Sequence, residues 1–288
     1  MRKLELKNNR MHSASACRLI SVLSGKGGVG KSVLTSNLAD QISSLGNKVL
    51  IVDLDYNFGN QHILANIQAS YGITQFENGS LSLGEAIYHV DDNLDLLPAY
   101  NCYGLFDQAE VTRLAEFTSR LREEASNYDV IICDHPSGLN KTTSVLAYAS
   151  DIVLSVLVPE LTSISDSYGL FKYLHEVDAK LDFRLLVNRA KDSDEAEYIV
   201  SKICALAERF IEDIPTYAGF VTENNQFKEA VASQTSIIKK HPDSPAVKEL
   251  RVIARKLTGV KSGRISALAE INQGEKINKT PAFADIKG

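Results

Sequence analysis

Short apolar runs rich in valine, isoleucine and leucine recur along the chain, separated by segments whose apolar positions return at helical spacing. VLIVD, VIICD and IVLSVLV have almost no polar alternation. A strand that is apolar on both faces is covered on both faces, the condition of strands in a parallel sheet. The pattern predicts strands over 18–24, 48–54, 94–98, 128–134, 151–158, 183–188 and 214–221. It predicts helices over 31–45, 108–126 and 192–210. In the second, Leu114, Phe117 and Leu121 keep helical spacing. The third opens on Asp192 and Glu195 in capping-box spacing and carries Ile199, Val200, Ile203, Ala207 and Phe210 along one stripe. Strands alternating with helices predict an α/β fold, a doubly wound and mostly parallel sheet flanked by helices. Residues 1–17 read as a flexible polar arm, 18–260 as the folded domain, and 261–288 as a polar tail, disordered or weakly amphipathic. In that tail Ile265, Leu268, Ala269 and Ile271 form a short apolar stripe beside Lys261 and Arg264, an expected site of weak peripheral membrane contact.

Composition narrows the classes. With 288 residues, 44% hydrophobic and 23% charged, the chain has globular proportions, which excludes collagen, coiled coil and wholesale disorder. No run reaches the roughly 20 apolar residues of a membrane-spanning helix. The apolar stretch 19–23 leads into a glycine loop, so it reads as a strand and not as a signal peptide. The expected location is the cytoplasm, or the inner face of the cell membrane. A net charge of -5 gives no overall attraction to nucleic acid. Cys17, Cys102, Cys133 and Cys204 lie far apart without a CxxC pair, against a disulfide framework or zinc knuckle.

The first predicted strand runs into Ser24-Gly25-Lys26-Gly27-Gly28-Val29-Gly30-Lys31-Ser32, with Val33 next on the helix. This is G-x-x-x-x-G-K-[ST] in the strand–loop–helix context that a phosphate cradle needs. Its glycines let backbone N–H groups turn inward on phosphate oxygens, and the helix N-terminus adds partial positive charge. Lys31 can reach the β- and γ-phosphates and Ser32 can ligate Mg²⁺. The second strand ends in Asp53-Leu54-Asp55, two carboxylates at the carboxyl edge of the sheet, where ligands of such folds bind. While the strand stays extended the two share a face. One can orient Mg²⁺ or its waters, and the other can polarise an attacking water. Capping of the next turn is the plainer reading. The strand over 128–134 ends in Asp134-His135-Pro136-Ser137-Gly138, a Walker B candidate in which Asp134 holds Mg²⁺ through water and the turn is free to sense a γ-phosphate. His135 reads as a bystander.

Gly25–Ser32, GKGGVGKS, resembles the deviant Walker A pattern of the MinD/ParA family of ATPases. The resemblance implies ATP/ADP and Mg²⁺ as cofactors and a homodimer when ATP is bound. In that picture Lys26 reaches across the interface to the partner's nucleotide. Lys26, Lys31 and Asp55 are then the catalytic set, Asp55 activating water. Gly25, Lys26, Gly27, Gly28, Val29, Gly30, Lys31, Ser32 and Val33 cradle the nucleotide, and Ser32, Asp53 and Asp134 hold the metal. Asn188, followed by Arg189, matches the family's adenine-reading asparagine. Val221 stands where the family has a proline against the base. Pro159-Glu160-Leu161-Thr162-Ser163-Ile164-Ser165-Asp166-Ser167-Tyr168 resembles the start of a partner-binding helix, with Ser163 or Thr162 as cap and Asp166 communicating with the nucleotide.

Together with Phe227–Val231 and His241–Ala246, that segment points to the FlhG/FleN (YlxH-like) branch. The implied function is a slow, partner-regulated ATPase switch that controls flagellar number or placement. Its implied partners are the flagellar GTPase FlhF, flagellar switch or C-ring proteins, or a flagellar transcription regulator. The branch's N-terminal D-Q-A-x-x-L-R motif is missing from residues 1–17. The similar Asp107-Gln108-Ala109-Glu110 stands mid-chain and reads as coincidence. The alternatives are the same switch placing a septum or cargo, an iron–sulfur relative, and a scaffold that binds ATP without hydrolysing it.

Overall fold

The structure, a computed structural model, describes residues 17–102, 104–106 and 109–259. Residues 1–16 of the N-terminal arm, the tail with its apolar stripe, and Asp107 and Gln108 lie outside these residues. Eight strands form one sheet: β1 (Arg18–Leu23), β2 (Val49–Asp53), β3 (Tyr88–Asp91), β4 (Leu94–Leu97), β5 (Val130–Asp134), β6 (Ile152–Leu157), β7 (Phe183–Ala190) and β8 (Thr216–Thr222). Their order is β3-β4-β2-β5-β1-β6-β7-β8. Every neighbouring pair is parallel except β3 with β4. The predicted strands are present, with ends within two residues of those expected. The edge strand β3 was not expected.

The helices are α1 (Lys31–Ser44), α2 (Gln61–Leu64), α3 (Ile73–Glu77), α4 (Leu83–Ala86), α5 (Val111–Glu124), α6 (Lys141–Tyr148), α7 (Leu161–Val177), α8 (Ser193–Ile211), α9 (Asn225–Ala232), α10 (Ile237–Lys240) and α11 (Pro245–Thr258). Alternation along each strand divides the core between two faces. Ile20 and Val22 of β1 join Leu34 and Leu38 of α1 and Leu250 of α11 on one face. On the other, Leu19 joins a cluster with Phe76, Phe106 and Leu121, while Leu23 joins one with Phe171 and Ile203 of α7 and α8. Covered on both sides, β2, β5 and β6 are buried along their whole length, which is why their sequences are apolar throughout.

Two cap assignments change. Glu160, not Ser163 or Thr162, occupies the N-cap of α7, and no side chain caps that helix. The Ser163 hydroxyl instead accepts from Val158 N at 3.1 Å, because it faces back toward the incoming strand. At α8, Asp192 caps as expected by accepting from Glu195 N at 2.9 Å, but Glu195 returns to Lys191 N at 2.7 Å, one residue before the box position.

At the amino edge of the sheet, Arg18 Nη1 donates to Leu257 O at 2.5 Å, tying the start of β1 to the last turn of α11. The winding of the sheet changes direction about β1: β2 lies to the β5 side of it, and β6, β7 and β8 follow on the other side, all parallel to it. The crevice at such a switch point, beyond the carboxyl ends, is where open α/β sheets bind ligands.

Candidate functional site

The loop after β1 enters α1 through Gly30, whose φ of 87° lies in the left-handed region that glycine adopts without strain. A Cβ here would also stand 2.5 Å from Asn188 Nδ2. A Cβ at Gly25 would come equally close to Asp166 Cβ, so the expected proximity of Asp166 to the loop is present as packing. Gly138 N donates to Ser24 O at 2.8 Å, tying the turn after β5 to the same loop.

Parallel register sets Asp53 of β2 beside Asp134 of β5. Lys31 reaches the pair from α1: its Nζ lies 2.5 Å from Asp134 Oδ1, with side-chain exposures of 7% and 1%. Asp53 is fully buried, accepting from Asp55 N at 3.2 Å and from Gln61 N at 3.0 Å. Burial, and then the neighbouring Asp134 charge, hold its carboxyl well above the usual carboxylate range. The strand stops at Asp53, so the alternation expected to put Asp55 on the same face does not continue. Asp55 instead turns into the following loop and accepts from Phe58 N at 3.1 Å. Turn capping and proximity to the phosphate loop therefore coexist in this segment.

Lys26 stands outside this buried group. Its Nζ makes a 2.5 Å ion pair with Glu160 and a 3.3 Å hydrogen bond to Thr162 Oγ1, both partly exposed to solvent. Asn188, on β7, donates through Nδ2 to Val29 O at 2.7 Å, so part of its hydrogen-bonding capacity braces the loop. It also lines a cavity of about 320 Å³ with Gly30, Val33, Arg189, Phe227 and Lys228. Arg189 sits at φ 56°, a strained value for a residue with a side chain. Val221 is not in that cavity. It is fully buried in the core, because strand alternation turns it inward, and Thr222, Glu223 and Asn224 line the space instead.

His135 is fully buried, its Nε2 2.8 Å from Ser21 Oγ. Burial, then the Lys31 charge, push its pKa down from 6.5 to about 3. The ring is neutral when folded and protonates near its ordinary value when unfolded. The stability it supports is therefore present above that value and lost as pH falls toward the folded one. We expect the wild type to lose up to about 1.4 kcal/mol per pH unit below that point through this ring. Urea unfolding of His135→Gln at pH 7.5, 6.0 and 5.0 should show a curve shallower by one proton.

Whether the residues suit Mg²⁺ and a nucleotide can be judged from their chemistry. Ser32, Asp53 and Asp134 offer only oxygen, the donor set of a hard cation. Among the described residues no cluster of three or more His, Cys, Asp and Glu could hold a metal alone, and Mg²⁺ in phosphate sites relies on one or two carboxylates plus phosphate oxygens. The Gln61 Oε1 and Ser24 Oγ atoms are buried without hydrogen-bond partners. The site fits the pair. Cys102 and Cys133 are both buried, and burial pushes the two thiols up to about 12.

Two residues of this region escaped the sequence reading. Glu160 was visible only as part of a helix start, and its partner Lys26 lies 134 positions away. Gln61 is a lone polar residue at the head of a four-residue helix, with no motif to mark it.

Residues 17–187 match the AAA domain family. The antiactivator FleN of Pseudomonas aeruginosa is 25% identical over 248 residues, 86% of this chain and 89% of FleN. The flagellum site-determining protein YlxH of Helicobacter pylori is 24% identical over 223 residues, 77% of this chain and 75% of YlxH. Among solved structures, the septum site-determining protein MinD of Pyrococcus horikoshii, complexed with Mg-ADP, shares the fold at a TM-score of 0.70 and 24% identity, over 88% of this chain and 98% of that one. No helix among the described residues is long and apolar enough to cross a membrane. With its phosphate loop, paired aspartates and surface lysine in this arrangement, the chain belongs to the AAA domain family and, within it, to the MinD/ParA ATPases, on the side of FleN and YlxH.

Proposed function

We propose that the chain is an ATP-dependent dimerisation switch with slow, partner-regulated Mg-ATP hydrolysis, and that it regulates flagellar number or placement. The observation that carries this reading is the division of labour between two lysines. Lys31 is buried against Asp134, while Lys26 is at the surface and, among the described residues, is engaged by Glu160 and Thr162. A lysine inside a phosphate loop that faces outward is placed to meet a second nucleotide. Phe58 and Leu161, 80% and 87% exposed, flank the same edge and offer apolar surface to a second copy. The flagellar role is supported by the names of the relatives, an antiactivator and a flagellum site-determining protein. FlhF, C-ring proteins and a flagellar transcription regulator are the partner classes to test.

Backbone N–H groups of residues 27–31 and the Lys31 ammonium hold the phosphate oxygens of ATP. The cavity beside Asn188 and Arg189 receives the base and ribose. Ser32, Asp53 and Asp134 are the oxygen donors for the metal, directly or through water. Asp55 orients water for in-line attack. Bound Mg²⁺ supplies charge neutralisation at the phosphates. Catalysis then consists mainly of positioning and electrostatics.

The test is size-exclusion chromatography with light scattering, with ADP or ATP plus Mg²⁺, alongside phosphate release. Wild type should dimerise in ATP and return to monomer as phosphate appears. Asp55→Ala should stay dimeric, with release reduced about 10²-fold, the size of a typical acid–base contribution. Dimerisation of wild type without phosphate release would favour the non-hydrolysing scaffold. No nucleotide-dependent change in mass would sink the switch.

A further inference from the structure

Gln61 opens α2 and is 1% exposed. Its carboxamide nitrogen donates to Asp134 Oδ2 at 2.7 Å and to Ser32 O at 3.0 Å, which occupies both hydrogens. Its backbone N–H donates to Asp53 Oδ2 at 3.0 Å. One residue thus grips all three positions that offer oxygen to the metal. The amide orientation is set by chemistry. Reversed, its oxygen would face a carboxylate and a carbonyl, two acceptors. Oε1 is therefore directed away from both, and it is buried without a hydrogen-bond partner.

A buried amide oxygen calls for a donor. Phosphate oxygens are acceptors and cannot serve it. Water bound to a divalent cation is a strong donor, and the nitrogen of the same amide already holds two of the cation's candidate ligand residues. Mg²⁺ in phosphate sites keeps several of its waters. We propose that Gln61 is a positioning residue of the metal–nucleotide site: its nitrogen fixes the Asp134 carboxylate and the Ser32 backbone, and its Oε1 accepts a hydrogen bond from a water of the hydrated Mg²⁺. The inference rests on the Mg-ATP reading above. It explains a polar residue, buried in the turn after Asp53-Leu54-Asp55, that the catalytic set leaves without a task.

The experiment titrates Mg²⁺ against the binding of a fluorescent ADP analogue to the full chain, with a parallel arm in EDTA. The variants are Gln61→Met, which keeps length and shape without a comparable hydrogen-bonding group, and Gln61→Leu. Outer partners of metal ligands typically change metal affinity by about 10–100-fold. Each variant should need at least about tenfold more Mg²⁺ for half its effect, while ADP affinity in EDTA changes less than about twofold. An unchanged Mg²⁺ requirement would overturn the inference, as would hydrolysis that falls with that requirement unchanged. Weaker ADP binding in EDTA by both variants, with no further loss when Mg²⁺ is present, would overturn it as well, since the hold on Ser32 would then be the whole role of Gln61. If wild type itself showed no effect of Mg²⁺ on ADP affinity, the metal–nucleotide reading would fail and not this step alone.

Discussion

Lys31→Ala is expected to abolish detectable nucleotide binding and to destabilise the nucleotide-free protein by about 3–4 kcal/mol at pH 7.5. The lysine is buried against Asp134 and stands near Asp53. Breaking a buried ion pair by removing one partner typically costs about 3–5 kcal/mol, because the other charge stays desolvated. Removing the Lys31 charge also takes away an influence that lowers the Asp53 carboxyl, which burial and the Asp134 charge already hold up. In the variant the folded-state pKa of Asp53 rises further, so the penalty is smallest in acid and grows as pH rises through the carboxylate range. Denaturant unfolding at pH 5.5 and 7.5 checks this. A penalty that grows toward acid would contradict the ion-pair account. Asp134→Asn in the Lys31→Ala background should recover most of the loss without restoring nucleotide binding.

Lys26→Ala should remove ATP-induced dimerisation, weakening it about 10²-fold or more, and leave monomeric ADP binding within about twofold. Charged contacts buried at an interface are worth several kcal/mol, whereas exposed ion pairs contribute about 0.2–1 kcal/mol. The pair with Glu160 is of the second kind, with side-chain exposures of 40% and 56%. Exchanging it for phosphate contacts across an interface therefore favours the dimer. Glu160→Ala should strengthen dimerisation, but by no more than about fivefold, since only the weak pair is removed. Sedimentation of the variants in ATP and Mg²⁺ measures both effects. Equal dimerisation of wild type and Lys26→Ala would rule out the cross-interface role.

What was legible in the sequence follows from how each feature is encoded. The central strands β2, β5 and β6 lie between two helical layers, so burial is written into every residue and their ends can be read closely. The edge strand β3, Tyr88–Asp91, is four residues long and half-buried, with no residue fully buried, and its antiparallel pairing depends on the hairpin with β4. Nothing in YHVD announces it. The phosphate loop was legible because its conformation demands glycine and its chemistry demands Lys-Ser at fixed spacing. Val221, at the position where the resemblance puts a proline against the base, is turned into the core by alternation along β8, which the motif alone does not show. The links Lys26–Glu160 and Gln61–Asp134 join segments far apart in sequence, and only the folded sheet brings them together.

The tie between Arg18 and Leu257 gives the molecule a polarity in space. The first strand starts, and the last described helix ends, at the edge of the sheet opposite the phosphate loop. A strand the length of β1 spans about 20 Å. Anything attached at either end, whether native extension, tag or surface tether, is thus anchored about that far from the edge carrying Lys26, Phe58 and Leu161. If two copies meet along that edge, their anchoring points lie at the two outer poles of the pair. A tether fixed at the start of β1 or the end of α11 should leave the pairing edge open, so one copy fixed to a surface can recruit another from solution.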